Sequence, residues 1–196
     1  NRPEAPGFAP APTVSTWLLQ PHPATPCPAV RRLHAWQART ADGWRLRYTL
    51  DGAPSALRLP PPARHPGPAD GLWRHTCFEA FVGTPGSSAY LEFNFSPSGH
   101  WAAYAFSAER QRDLAAPALP APHITCTQDV QHLVLDAVLP AHGLPDTDGV
   151  IGLSAVIETA DGQLSYWALA HPRAQPDFHH RAGWTAHLPA PDTNTP

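Results

Sequence analysis

Short runs in which apolar and polar residues alternate dominate this chain, and each run ends at a turn-forming cluster. VSTWLLQ, RRLHAWQAR and WRLRYTL come first, with Asp42-Gly43 as a hairpin signal between the last two. Leu57 to Leu59 reads as a short strand before the Pro60-Pro61-Pro62 break and a polar loop that ends at Gly71. HTCFEAFV, AYLEFNF and HWAAYAF follow, separated by GTPGSS and SPSG, and predict a three-stranded meander. HLVLDAVL, GVIGLSAVIE and LSYWALA continue the series, with Asp161-Gly162 turning the last pair. SAERQRDLA is the one stretch that predicts a short helix. About nine strands at this turn-limited spacing predict an all-β fold, an antiparallel β-sandwich of jelly-roll or immunoglobulin-like type with one short helix.

Alternation also assigns faces. In AYLEFNF, Leu91, Phe93 and Phe95 share one side, and Tyr90, Glu92 and Asn94 share the other. In the preceding strand Phe78, Ala80 and Val82 take the apolar side and leave His75, Cys77, Glu79 and Phe81 opposite, so pairing would bring Glu79 beside Glu92 or Asn94. HWAAYAF leaves a large ring outward in either phase, Trp101 or Tyr104. A strand pair that spends these positions on carboxylates, an amide and aromatic rings suits a sugar, because rings stack on C–H faces while the polar groups bond hydroxyls. The bland alternative is a solvated outer face of an ordinary sandwich.

Composition narrows the partners. The 196 residues fit one domain, read as a Pro- and Ala-rich arm over 1–13, a folded unit over 14–188 and a loose tail over 189–196. A formal net charge of -3, with 15% charged residues and no basic block, argues against nucleic-acid or anionic-membrane binding. The 26 Pro and 13 Gly favour short strands and loops over helices. No apolar run reaches the roughly 20 residues of a membrane span. Three cysteines, Cys27, Cys77 and Cys126, lack CxxC spacing and leave at least one free thiol, which favours a cytoplasmic setting. The chain opens on Asn1 rather than Met, which leaves an upstream targeting segment open.

Catalytic and metal chemistries have candidate residues. His75, Cys77 and Glu79 share a strand face and supply the residue types of a nucleophilic set or a zinc site. Same-face neighbours stand about 6.5–7 Å apart along a strand and are not aimed at one bond, and no oxyanion loop follows Cys77. His171, Asp177, His179 and His180 form a second group of ligand types without a recognised metal spacing, and Asp146 with Asp148 is too few oxygens for calcium. The expectation is therefore no catalytic residue, no metal and no cofactor. Glu158 ends its strand, free to join the site or to pair with Arg74 or Arg110. Trp17, Trp36, Trp44 and Trp184 read as core, whereas Trp73, at a loop-to-strand junction beside Arg74, reads as a pocket rim or as a closure of the sandwich end.

The order LWRHTCFEAFV, YLEFNFSPSGHWAAYAF, AVIE and SYWALAHP…PDFHH resembles the DOMON-like domains related to family 9 carbohydrate-binding modules, over about Leu18 to Leu188. The resemblance implies a β-sandwich that binds a sugar or haem at a sheet face or rim. It implies that Glu79, Glu92, Asn94 and Trp101 sit near that surface, and with the face and rim readings the expected ligand-binding set is Trp73, Glu79, Glu92, Asn94, Trp101, Tyr104, Glu158 and Trp167. Haem-binding relatives commonly use a Met ligand; this chain has neither Met nor Lys, so haem would need histidine alone. The resulting expectation is a non-catalytic domain whose partner is a small molecule, with carbohydrate as the leading class. The alternatives are a His-ligated haem binder and a Cys/His/Glu metalloprotein or hydrolase.

Overall fold

The computed structural model describes residues 14–191; the arm expected over 1–13 and the end of the tail lie outside them. Twelve strands form the antiparallel sandwich that the alternation predicts. One sheet orders β8 (His123–Gln128), β9 (His132–Pro140), β3 (Gly43–Gly52), β2 (Val30–Thr40) and β1 (Val14–Pro21). The other orders β7 (Gln111–Arg112), β6 (Trp101–Ala108), β5 (Tyr90–Phe95), β4 (Cys77–Gly83), β10 (Gly149–Glu158) and β11 (Leu164–Ala168). The end of β1 pairs Gln20 and Pro21 with β11 and so joins the sheets, while β12 (Ala186–Leu188) runs beside the start of β10.

Period-2 alternation drives the closure. Trp44, Leu46, Tyr48 and Leu50 of β3 meet Phe78, Ala80, Phe93 and Phe95 of the opposite sheet in one buried core. Each fully buried Leu or Phe contributes roughly 1.5–3 kcal/mol through lost apolar surface. The Tyr48 hydroxyl crosses the core and donates to the Glu79 carbonyl at 2.6 Å, which satisfies a polar group that burial would otherwise penalise.

Several elements differ from the sequence expectation, the short unpredicted strand β12 among them. SAERQRDLA forms no helix: Ser107 and Ala108 end β6, Glu109 and Arg110 turn, and Gln111 and Arg112 return as β7. Arg110 holds the turn at φ 58, and its N–H donates to the Tyr90 hydroxyl at 3.0 Å, so a tertiary contact overrides a helical composition. Leu57 to Leu59 gives a single bridge, Leu57 to Thr159, after a 3-10 turn over Pro54–Ala56. HITCTQ, too polar to signal a strand, is the edge strand β8, mostly solvent-facing. Among the described residues, helical turns are confined to four 3-10 segments, and no helix is long and apolar enough to cross a membrane.

Candidate functional site

The outer face of the second sheet carries the polar row. Register puts Glu79 opposite Asn94 and Ser154, and Glu92 opposite Phe81 and Tyr104. Strands β4 and β10 are buried along their length, because the core covers one face and another segment of chain covers part of the other. Glu79, Glu92 and Asn94 are therefore not a solvated surface: they are 3%, 5% and 0% exposed. Turned with its NH2 toward the carboxylates, the Asn94 amide donates to Glu79 Oε1 at 2.9 Å, Glu92 Oε1 at 3.2 Å and the Phe93 carbonyl at 3.1 Å. Glu79 Oε2 and Ser154 Oγ are buried with no partner.

The covering segment is the chain between β11 and β12. Gly152 permits its closest approach: a Cβ there would lie 2.3 Å from Trp184 Cδ1, so the indole rests directly on the backbone of β10. Trp184 stacks on Phe81 with centroids 5.6 Å apart, and its indole N–H donates to the Phe178 carbonyl at 2.9 Å. Arg181 ties the same segment to the sheet edge by donating to the carbonyls of Thr84 and Ala89. On the other side, the loop before β4 docks along β6, with the Ala69 N–H donating to the Trp101 carbonyl at 2.8 Å. That places Asp70 to accept from the Tyr104 hydroxyl at 2.6 Å and sets Trp73 on the rim. Between these walls lies an open cavity of about 910 Å³, with Glu79, Glu92 and Phe81 in its floor and Tyr104, Tyr166 and Phe178 among its walls.

Burial governs the electrostatics. It pushes the Glu79 carboxyl well above the ordinary carboxylate range, and the Glu92 charge pushes it further. Burial raises Glu92 as well, opposed by the hydrogen bond from Glu79, the Asn94 amide and the charges of Arg112 and Arg110. The two carboxyls thus titrate as a pair, with protonation favoured above the ordinary carboxylate range. His179 reaches Glu92 Oε2 at 3.6 Å through Nε2, and its Nδ1 lies 2.7 Å from the Tyr90 hydroxyl. Burial, then the Arg110 charge, lowers His179 to about 4, so the ring is neutral and its Nδ1 accepts from Tyr90. His179 therefore meets Glu92 as a neutral ring rather than as a charged partner.

The structure gathers five of the eight expected ligand-binding residues at this site: Trp73, Glu79, Glu92 and Tyr104 line the cavity, and Asn94 bridges the two glutamates. The other three lie elsewhere. Trp101 pairs with Phe95, which sets it on the core-facing side of the sheet, while Tyr104 takes the ligand side. Trp167 is 3% exposed within the core and donates to Ser165 Oγ at 2.9 Å. Glu158 is held at the far end of β10 by Arg58 at 2.9 Å and His75 at 2.6 Å, not by Arg74 or Arg110.

The His75/Cys77/Glu79 set is also dispersed, since His75 turns to Glu158 and the buried Cys77 thiol is pushed well up by burial and the Glu79 charge. His171 packs against His22 and donates through Nε2 to the Gln20 carbonyl at 2.7 Å, away from His179. Among the described residues no three His, Cys, Asp or Glu side chains gather as a metal site. His179, Phe178, Asp70, Arg110 and Arg112 belong to the cavity but escape sequence reading, because loops and the covering segment deliver them from distant positions.

No protein-family model matches the sequence, and no curated protein is similar to it in sequence. Solved structures share the fold. A protein from Bacteroides uniformis ATCC 8492, described as a "putative carbohydrate-binding protein", superimposes with a TM-score of 0.58 at 14% identity, covering 89% of this chain and 85% of that one. A family 9 carbohydrate-binding module from Caldicellulosiruptor kristjanssonii, in complex with cellotriose, gives a TM-score of 0.58 at 8% identity, covering 93% and 86%.

Proposed function

We propose that this chain is a non-catalytic carbohydrate-binding domain of the DOMON-like kind, and that it holds a sugar over the Glu79/Asn94/Glu92 floor. The observation that carries the reading is the pairing of buried, directional polar groups with exposed ring faces in one open cavity. Glu79 Oε2 lacks a partner among the described residues, a state that costs free energy unless a ligand or water completes it. Tyr104, Tyr166 and Trp73 supply ring faces around this floor. The cellotriose-bound neighbour, alike in fold, supports the same choice of ligand class.

Binding rather than hydrolysis is favoured by the carboxyl geometry. Glycosidases place two carboxyl groups on either side of the scissile bond, roughly 5–9.5 Å apart. Glu79 and Glu92 instead rise from adjacent strands on one sheet face and are bridged by one amide, an arrangement that does not set them on opposite sides of a bond. Isothermal titration and tryptophan fluorescence across neutral and acidic oligosaccharides test the reading. Saturable binding that weakens at least tenfold in Glu92→Ala, with the fold retained by circular dichroism, is expected. Flat titrations at millimolar concentrations of every sugar would overturn it.

A further inference from the structure

Two arginines on the cavity wall have aromatic supports and, among the described residues, no salt-bridge partner. The Arg112 guanidinium lies over the Tyr104 ring, 4.0 Å from its centroid, and Arg74 lies over Trp73 at 5.4 Å. Both line the cavity. Arg58 and Arg110 are engaged by Glu158 and Asp177, whereas no described carboxylate lies within salt-bridge distance of Arg74 or Arg112, and neither side chain donates a hydrogen bond to the described residues. A guanidinium over a ring with no hydrogen-bond acceptor keeps its N–H fork available, and that fork matches a carboxylate in two-point geometry. Tyr104 is itself fixed by the 2.6 Å hydrogen bond to Asp70, so the Arg112 platform is held in place rather than loose in solvent.

Resting on the carbohydrate-binding reading, we infer that the cavity selects an acidic sugar: a uronic-acid residue whose hydroxyls meet the Glu79/Asn94 floor and whose carboxylate meets the Arg112 and Arg74 edges. The layout separates the two chemistries in space. Its floor offers hydrogen bonds in a buried setting, and its wall offers positive charge where the glycan remains partly solvated. A neutral oligosaccharide would use the floor and rings alone and leave both guanidiniums without a partner.

The test titrates the full chain with tri-galacturonate, a glucuronate-containing disaccharide and neutral cellotriose, at 50 mM and 500 mM NaCl. An acidic sugar is expected to bind at least tenfold more tightly than cellotriose at low salt, with the advantage shrinking at high salt as screening grows. Arg112→Gln and Arg74→Gln, both exposed side chains, are expected to cut the acidic-to-neutral affinity ratio tenfold or more, the scale of a lost charge-assisted hydrogen bond. Equal affinity for acidic and neutral sugars, or a ratio unchanged within twofold in both variants, overturns the inference and leaves the carbohydrate reading standing. Failure of all three sugars to bind overturns both.

Discussion

Glu79→Gln should stabilise the protein at neutral and alkaline pH. The folded state holds a proton on the buried Glu79/Glu92 pair that the unfolded chain releases above its ordinary carboxylate value of 4.5. Wild-type stability therefore falls as pH rises above that point, by up to about 1.4 kcal/mol per pH unit for one proton, until the folded pair ionises. An amide cannot ionise, so the variant lacks this loss. The substitution also keeps an acceptor at the Oε1 position for the Asn94 NH2. Urea unfolding followed by tryptophan fluorescence, at half-unit steps from pH 4.5 to 8.5, gives the difference curve. It should start near zero, climb with pH, and then level. The level reached measures how far the fold raises Glu79. His179 contributes with the opposite sign below 6.5 in both proteins and cancels in the difference. A difference that is flat or negative across the range would refute the raised carboxyl pair.

The remaining outcomes rest on the same geometry. His179→Gln should remove part of the acid sensitivity: a histidine lowered from 6.5 to about 4 favours the folded state above 6.5 and loses on the order of 3 kcal/mol as pH falls through that window, readable in the same titration. Gly152→Ala drives a Cβ to 2.3 Å from Trp184 Cδ1, and the overpacking should cost about 1–3 kcal/mol in urea unfolding; an unchanged midpoint would contradict the seating of the indole. Tyr104→Ala should weaken sugar binding about tenfold, consistent with the loss of a stacking face. Trp101→Ala should leave affinity within twofold, since that ring sits on the Phe95 side of the sheet, and calorimetry that reversed the two results would invert the assigned phase of β6.

Much of the fold was legible because a half-buried strand writes its faces into a period of two. The Phe93/Phe95 and Phe78/Ala80 sets entered the core together as alternation requires, and Glu79 paired with Asn94, one of the two neighbours that alternation left open. The short helix was misread because SAERQRDLA has helix-favouring residues, and only the Tyr90 contact and the return of Gln111 show a hairpin turn. HWAAYAF offered two phases with a ring outward in each, so composition could not choose between Trp101 and Tyr104. The Glu92–Tyr104 register chose. Trp167 followed the same logic: a ring beside a polar residue reads as site or core until its partner, Ala155, is known to face inward.

What the sequence determined by itself is the set of alternating strands and the two glutamates and the asparagine that share one sheet face, because strand periodicity is a local property of the backbone. What only the tertiary structure decided is that this face is a cavity floor. Burial of Glu79 and Glu92 depends on a segment from beyond β11 packing its Trp184 onto Gly152 and carrying Phe178 and His179 across the sheet. The raised carboxyl pair arises from the contact of β4 with β5 beneath that covering segment, and the Arg112–Tyr104 contact from the way β7 folds back on β6. Local alternation can assign a side chain to a face, but desolvation and charge depend on everything packed against that face.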